Sequence, residues 1–285
     1  MTTPLAITGA TGIIGGGVAH QLSARGIPLR LVVRSPHRAP ALAGAEVAGA
    51  AYNDSGAVRE ALEGIDTVLM VSAAENKDRL TEHLTFVDAA VAAGVHRIVY
   101  TSFLGAAPDA VFLLGRDHWF TEDHIRNSGL AFTFLRDNLY ADLLPEFAGP
   151  EGVIRGPAGD GRLSAVARAD VIDVATEVLS AAAGARAEPT VHDGISYGLT
   201  GPEALTLTEM AAIISRTTGR AVRFENETIE QAYASRAGSG APAWQVDAWV
   251  STYTAIAAGE MAQVTDDVEG VAGHPPISFR SLLGR

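Results

Sequence analysis

The sequence predicts a doubly wound α/β fold, a parallel sheet with helices packed on both faces. Three observations lead there. Across residues 5–136, short apolar runs alternate with stretches of helical periodicity, the pattern of strands joined by helical crossovers. A glycine-rich turn follows the first apolar run at once. Gly26, Gly64, Gly94 and Gly129 then close the successive helical stretches, as expected where a helix must stop.

Taken in order, Leu5 to Thr8 is the first strand. Ile14 to Arg25 is the first helix, with Val18 and Leu22 one turn apart on its apolar face. Leu29 to Arg34 is the second strand and Val47 to Tyr52 the third. Asp54 or Ser55 caps a short helix, and Thr67 to Val71 follows as the fourth strand. A helix over 77–93 leads to a fifth strand, Arg97 to Ser102. A helix over 117–127 leads to a sixth, Ala131 to Arg136. Beyond Asn138 the rhythm loosens. Pro and Gly gather between Pro145 and Gly161, and a helix over 171–183 precedes a further strand at Thr190 to His192. Another helix runs over 208–218, capped by Thr206 or Thr208 and stopped by Gly219, with a short strand at Ala221 to Phe224. Residues 1–150 are thus expected to form the core. Residues 151–285 form a smaller mixed lobe for substrate, with part of 165–195 returning to the core.

Composition narrows the function. Hydrophobic residues make up 47% of the 285, enough for a sizeable core. A net charge of −12 argues against nucleic acid, whose phosphates call for clustered Lys and Arg. With no cysteine, disulfides, thiolate catalysis and Cys-bound metals are excluded. His20, His37, His83 and His96 have no metal-ligand spacing, so no metal is expected. No signal peptide or membrane-spanning run is visible, and the expectation is a cytoplasmic protein acting on a small molecule, as monomer or homodimer, without membrane or nucleic-acid partners.

The turn after the first strand reads Gly9-Ala10-Thr11-Gly12-Ile13-Ile14-Gly15, with glycine at its first, fourth and seventh positions between a strand and a helix. In that setting Gly9 permits the tight turn, Gly12 lets backbone approach a pyrophosphate, and Gly15 permits close helix–sheet packing. The helix start then offers N–H groups and about half a positive charge to phosphate. This is the Rossmann-type arrangement for a dinucleotide. The second strand ends in Arg34, where a carboxylate for ribose hydroxyls is usual in proteins preferring NAD. A guanidinium there suits the 2′-phosphate of NADPH, and Arg38 offers a second charge. NADPH is the expected cofactor, with NADH the alternative.

These residues, together with Val33-Arg34-Ser35-Pro36, Val71-Ser72-Ala73-Ala74-Glu75, Tyr100-Thr101-Ser102, His118 through Thr121-Glu122 to Ser128-Gly129, and Thr133-Phe134-Leu135-Arg136, resemble the NmrA-like branch of atypical short-chain dehydrogenases/reductases. Within it, the resemblance is greatest to the NADPH-dependent quinone oxidoreductases of type 2 and the triphenylmethane-dye reductases. It covers roughly residues 5–180 and continues faintly through Leu199-Thr200-Gly201-Pro202-Glu203 and Gly273-His274-Pro275. The resemblance implies that Gly9, Thr11, Gly12, Ile13, Ile14 and Gly15 cradle the pyrophosphate and that Arg34 and Arg38 meet the 2′-phosphate. It also implies that Val71, Ser72 and Ala73 line the ribose and nicotinamide, with Thr101 and Ser102 beside them. Relatives often place an Asp against adenine where this chain has Ala51; Tyr52 to Asp54 are the expected substitutes.

Typical short-chain dehydrogenases use a Tyr as proton donor and a Lys four residues later. Here the only lysine is Lys77 and residue 73 is Ala, so that pair cannot exist. Aligning on Glu122 instead places His118 at the Lys position and Leu114 at the Tyr position. His118 is the candidate for contacting the nicotinamide ribose or passing a proton, against the alternative of packing its helix. Ser102 orients substrate or ends its strand. Asn138 and Tyr140, on the loop leaving the sixth strand, are candidates for the substrate pocket, against an Asx-type turn with a packed aromatic. The expected activity is hydride transfer from NADPH to a quinone-like or other conjugated acceptor. The competing reading is a non-catalytic NADP(H)-binding redox sensor acting through a protein partner. Nucleotide-sugar epimerase chemistry is disfavoured because it leans on the missing Tyr and Lys.

Overall fold

The structure is a computed structural model that describes residues 5–185 and 187–284. In chain order, β1 (Leu5–Thr8) leads through the glycine turn into α1 (Ile13–Ala24), then β2 (Leu29–Val33), β3 (Ala45–Gly49) and α2 (Ser55–Ala61). β4 (Thr67–Met70), α3 (Arg79–Ala92), β5 (Arg97–Phe103), α4 (Leu113–Asn127) and β6 (Ala131–Asp137) follow. After them come β7 (Val153–Gly156), β8 (Arg162–Leu163), α5 (Arg168–Ala182), β9 (Ile195–Leu199), β10 (Leu205–Thr206) and α6 (Leu207–Thr218). The chain ends with β11 (Arg223–Asn226), α7 (Ile229–Arg236), α8 (Ala243–Ala257), α9 (Asp267–Ala272) and α10 (Phe279–Leu283).

The chain divides into two compact units. The first holds residues 1–102, 118–136 and 171–197; the second holds 103–117, 137–170 and 198–285. The main sheet has strand order β3-β2-β1-β4-β5-β6-β9, with β3 through β5 paired in parallel. β1, β4 and β5 are buried along their whole length, as strands covered on both faces must be, and their few polar side chains, among them Thr8, Thr67, Arg97 and Thr101, are buried with them. The order reverses at β1: β2 and β3 lie to one side, β4 and β5 to the other. That is the switch point where a doubly wound sheet opens a crevice at its strand ends. In the first unit Val58, Leu62, Val68, Met70, Phe86, Ile98, Tyr100 and Phe134 form one apolar cluster. The second unit has its own, built on Phe103, Phe112, Ile154, Leu163, Met210, Ile214, Tyr253 and Phe279.

Three expectations shift. The third strand ends at Gly49 rather than Tyr52, because Asp54 caps α2 by accepting from Ala57 N–H and the chain has already turned away from the sheet. No strand forms at Thr190 to His192. Asp193 instead accepts from the Thr190 amide and hydroxyl, which closes a turn, and the strand comes afterwards at β9. Within the Pro/Gly-rich stretch after Asn138, β7 forms and pairs with β11, which starts two residues later than expected. The helix stopped by Gly219 is capped by Thr206 through a capping box with Glu209.

Candidate active site

A cavity of about 260 Å³ opens in the first unit at the ends of β1, β2, β3 and β4. Its lining includes Gly9 and Thr11, Arg34, Ala50 to Asn53, and Val71 to Ala74. Thus four strand ends converge on one site at the switch point.

The glycine loop is built for close approach. Gly9 sits at φ +63°, in the left-handed region, and its carbonyl accepts from the Gly12 N–H at 2.8 Å. A Cβ at Gly15 would stand 2.4 Å from the Thr8 carbonyl oxygen, so only glycine lets α1 meet the strand end. No side chain caps the start of α1 and its first turn carries no acidic residue. That donor set fits a pyrophosphate. Arg34 is exposed just past β2 and lines the cavity; Arg38 is exposed on the 3-10 turn Pro36–Arg38, outside the lining. Tyr52 is turned inward, its hydroxyl donating to Val71 O at 2.6 Å and sharing a 2.5 Å hydrogen bond with Thr8. It lines the cavity together with Ala50, Ala51 and Asn53.

The segment after β4 is held by side chains. Val71 N–H donates to Thr8 Oγ1 at 2.9 Å, Ser72 N–H to Thr101 Oγ1 at 2.8 Å, and Ala73 N–H to His83 Nε2 at 2.9 Å. Arg79 Nε donates to the Ala73 carbonyl at 3.0 Å. His118, 5% exposed, lies behind them. Its Nε2 stands 2.8 Å from Arg79 Nη2 and its Nδ1 2.9 Å from the Tyr100 hydroxyl. A guanidinium only donates, so Nε2 is the acceptor and the proton sits on Nδ1, given to Tyr100. Burial, with the charge of Arg79 nearby, holds the His118 pKa well below the ordinary imidazole value. Tyr100 is fully buried, and that burial raises its pKa against the opposing charge of Arg79. His118 is therefore a neutral group with both nitrogens engaged.

Ser102 donates to Glu122 Oε1 at 2.6 Å, and Glu122 also accepts from Arg126 and twice from Arg136. The Ser102 hydroxyl thus belongs to a buried charge cluster. In the second unit, Asn138 is 1% exposed, donates to Ser164 Oγ and Met261 O, and accepts from Leu139 N–H. These bonds give it the role of fixing a turn, in place of a substrate contact. The Tyr140 hydroxyl donates to Asp137 at 2.5 Å with Arg168 over its ring, and burial and Asp137 push its pKa well above the ordinary phenol. So His118, Ser102 and the 71–73 segment lie in the first unit, whereas Asn138 and Tyr140 lie in the second. Sequence reasoning missed Arg79, His83, Tyr100 and Thr121. The available signals were an Arg and a His four apart at the start of a helix, and a Tyr inside a strand buried on both faces, where its hydroxyl needs a partner.

Comparison with known proteins agrees with this geometry. The chain is 33% identical to quinone oxidoreductase 2 of Escherichia coli over 279 residues, covering 95% of this chain and 94% of that protein. The structure of the E. coli NADPH-dependent quinone oxidoreductase complexed with NADPH superposes with a TM-score of 0.86 at 32% identity, over 98% of both chains. An NAD(P)H azoreductase of Xenophilus azovorans is 30% identical, over 96% of this chain and 94% of its own. The triphenylmethane reductase of Citrobacter sp., complexed with NADP(H), gives a TM-score of 0.83 at 28% identity over 98% of both chains. Residues 9–182 match the family described as NAD(P)H-binding. The chain belongs to that NAD(P)H-binding family, in its NmrA-like branch.

Proposed function

We propose that this protein is an NADPH-dependent oxidoreductase that transfers hydride to a quinone-like or other conjugated small-molecule acceptor without a Tyr/Lys pair. The observation that carries the reading is the cavity at the switch point, with the glycine loop in the middle, Arg34 to one side and Val71 to Ala74 to the other. Strand order sets the direction of the cofactor. Arg34 follows β2 and Ala50 to Asn53 follow β3, so the 2′-phosphoadenosine half belongs there. The pyrophosphate belongs over Gly9 to Gly15, and the nicotinamide half over the end of β4.

A bound NADPH supplies the hydride. The protein's part is to orient it. His118 and Tyr100 are neutral and buried, and Lys77 is exposed and paired with Asp78. None of these three lines the cavity as a general acid, which suits an acceptor whose reduced form takes its proton from water. Orientation alone is worth roughly 7–11 kcal/mol of barrier. Relatives whose names specify quinone, azo and triphenylmethane acceptors support this over a purely sensory role.

The test is loss of reduced-nicotinamide absorbance with a panel of quinones and cationic dyes, with NADH as control. Turnover with NADPH is expected. Tight NADPH binding without turnover on any acceptor would transfer the assignment to redox sensing.

A further inference from the structure

The segment that follows β4 is unusual in how completely its backbone is used. Three consecutive N–H groups, those of Val71, Ser72 and Ala73, each donate to a side chain of a different element: Thr8 in β1, Thr101 in β5 and His83 in α3. The carbonyls at its two ends accept from Tyr52 Oη and Arg79 Nε. A coil segment is ordinarily the mobile part of a strand-end crevice. Here it is bolted to the sheet at one end and to α3 at the other. The α3 end is the one farthest along the chain from β4, and there His83 takes the Ala73 N–H while Arg79 takes the Ala73 carbonyl.

His83 suits this task chemically. Its Nε2 accepts from Ala73, so its proton sits on Nδ1, where Thr121 Oγ1 lies 3.0 Å away and the Tyr100 hydroxyl 3.4 Å away. A buried, neutral imidazole thus relays the position of α4 and β5 to one peptide group at the cavity wall. We propose that His83 is a positioning residue that fixes the Val71–Ala73 wall, and through it the nicotinamide half of the cofactor, without touching the phosphates. The proposal rests on the cofactor assignment above. It assigns a role to a histidine that does not line the cavity.

The experiment compares wild type, His83→Leu and His83→Gln for binding of NADPH and of 2′-phospho-ADP, a probe that lacks the nicotinamide half. Leucine fills the space and removes the acceptor. Glutamine keeps an acceptor near the Nε2 position. An amide left without its partner is expected to weaken NADPH binding by about tenfold in His83→Leu. Binding of 2′-phospho-ADP should stay within about twofold of wild type, and His83→Gln should regain most of the loss. Thr101→Val, which removes the acceptor of the neighbouring Ser72 N–H, should show the same split between the two ligands and covers the case in which His83→Leu fails to fold. Equal weakening of both ligands, or none, in variants that fold would overturn the positioning role while leaving the cofactor site standing. A wild-type protein that binds neither ligand would overturn the cofactor assignment itself, and this role with it.

Discussion

Gly12 and Gly15 stand three residues apart in the same loop, yet the structure gives alanine opposite consequences at the two. At Gly15 the added Cβ would meet the Thr8 carbonyl oxygen at 2.4 Å and the Gly9 carbonyl group at 2.6 Å. Those atoms are backbone and cannot rotate aside, so the start of α1 must withdraw from the strand by roughly 1 Å, a distortion of the kind that costs about 1–3 kcal/mol or more. At Gly12 the backbone has φ −99° and ψ 178°, which alanine adopts freely, and the closest atom to the new Cβ is the Gly9 oxygen at 3.3 Å. Stability should change there by no more than about 0.5 kcal/mol. The new methyl, however, occupies the space through which the pyrophosphate approaches. Gly12→Ala is therefore expected to melt like wild type and to bind NADPH at least about tenfold more weakly, near 1.4 kcal/mol. Gly15→Ala should lose roughly 4–8 °C in melting temperature for a loss of about 2 kcal/mol. Differential scanning calorimetry and a cofactor titration separate the two effects. Wild-type NADPH affinity in Gly12→Ala, or wild-type melting in Gly15→Ala, would refute the reasoning.

Arg34→Asp should weaken NADPH far more than NADH, since only the former carries the phosphate; parallel titrations showing equal losses would remove Arg34 from the 2′-phosphate. Glu122 is fully buried and its carboxylate answers Ser102, Arg126 and Arg136, so Glu122→Gln strands two guanidinium groups and should cost about 3–5 kcal/mol in urea unfolding. A loss below about 1 kcal/mol would contradict that cluster. The hydrogen bond from Arg97 holds the Asp193 pKa down to about 2 from 3.8. A depressed carboxylate stabilises the fold above its unfolded pKa, and that contribution, about 2 kcal/mol, disappears as pH falls from 3.8 towards 2. Asp193→Asn should accordingly be less stable than wild type at neutral pH and converge with it in acid, as followed by unfolding at a series of pH values.

Much of the first unit was legible because its signals are local. The Leu5–Thr8 run, the glycine spacing and the terminating glycines at 26, 94 and 129 each act within a few residues, and β1, α1, α3 and β5 form where those signals place them. Long-range partners were not legible. Nothing near His83 in sequence announces Ala73 as its acceptor's partner, and nothing near Thr190 announces that Asp193 will turn to Arg97 and close a turn where a strand was expected. The same holds for Asn138, whose amide is consumed by Ser164 and Met261, the latter 123 residues away. A Tyr/Lys absence is visible in the sequence. That residue 118 is a neutral imidazole held between Arg79 and Tyr100 needed the fold.

The proton decides which acceptors such a site can serve. Lys77 is 73% exposed at its side chain and faces Asp78. His118 keeps its proton on the nitrogen facing Tyr100, and Tyr100 is buried with a raised pKa. Tyr140 keeps its proton and donates it in a hydrogen bond to Asp137, and burial together with that carboxylate holds its pKa well above the ordinary phenol. Each group thus lacks either the position or the acidity of a general acid working near neutral pH. Hydride addition to a simple ketone generates an alkoxide, a strong base that needs such an acid in the transition state. Hydride addition to a quinone gives a delocalised phenolate, and addition to a cationic dye gives a neutral product; neither needs one. The expected result is turnover of quinones and cationic dyes with little change in kcat across neutral pH, and no turnover of unactivated ketones or aldehydes. Efficient reduction of an unactivated ketone, with a rate falling as a single group deprotonates, would mean that one of these side chains gives up its partner and acts as an acid.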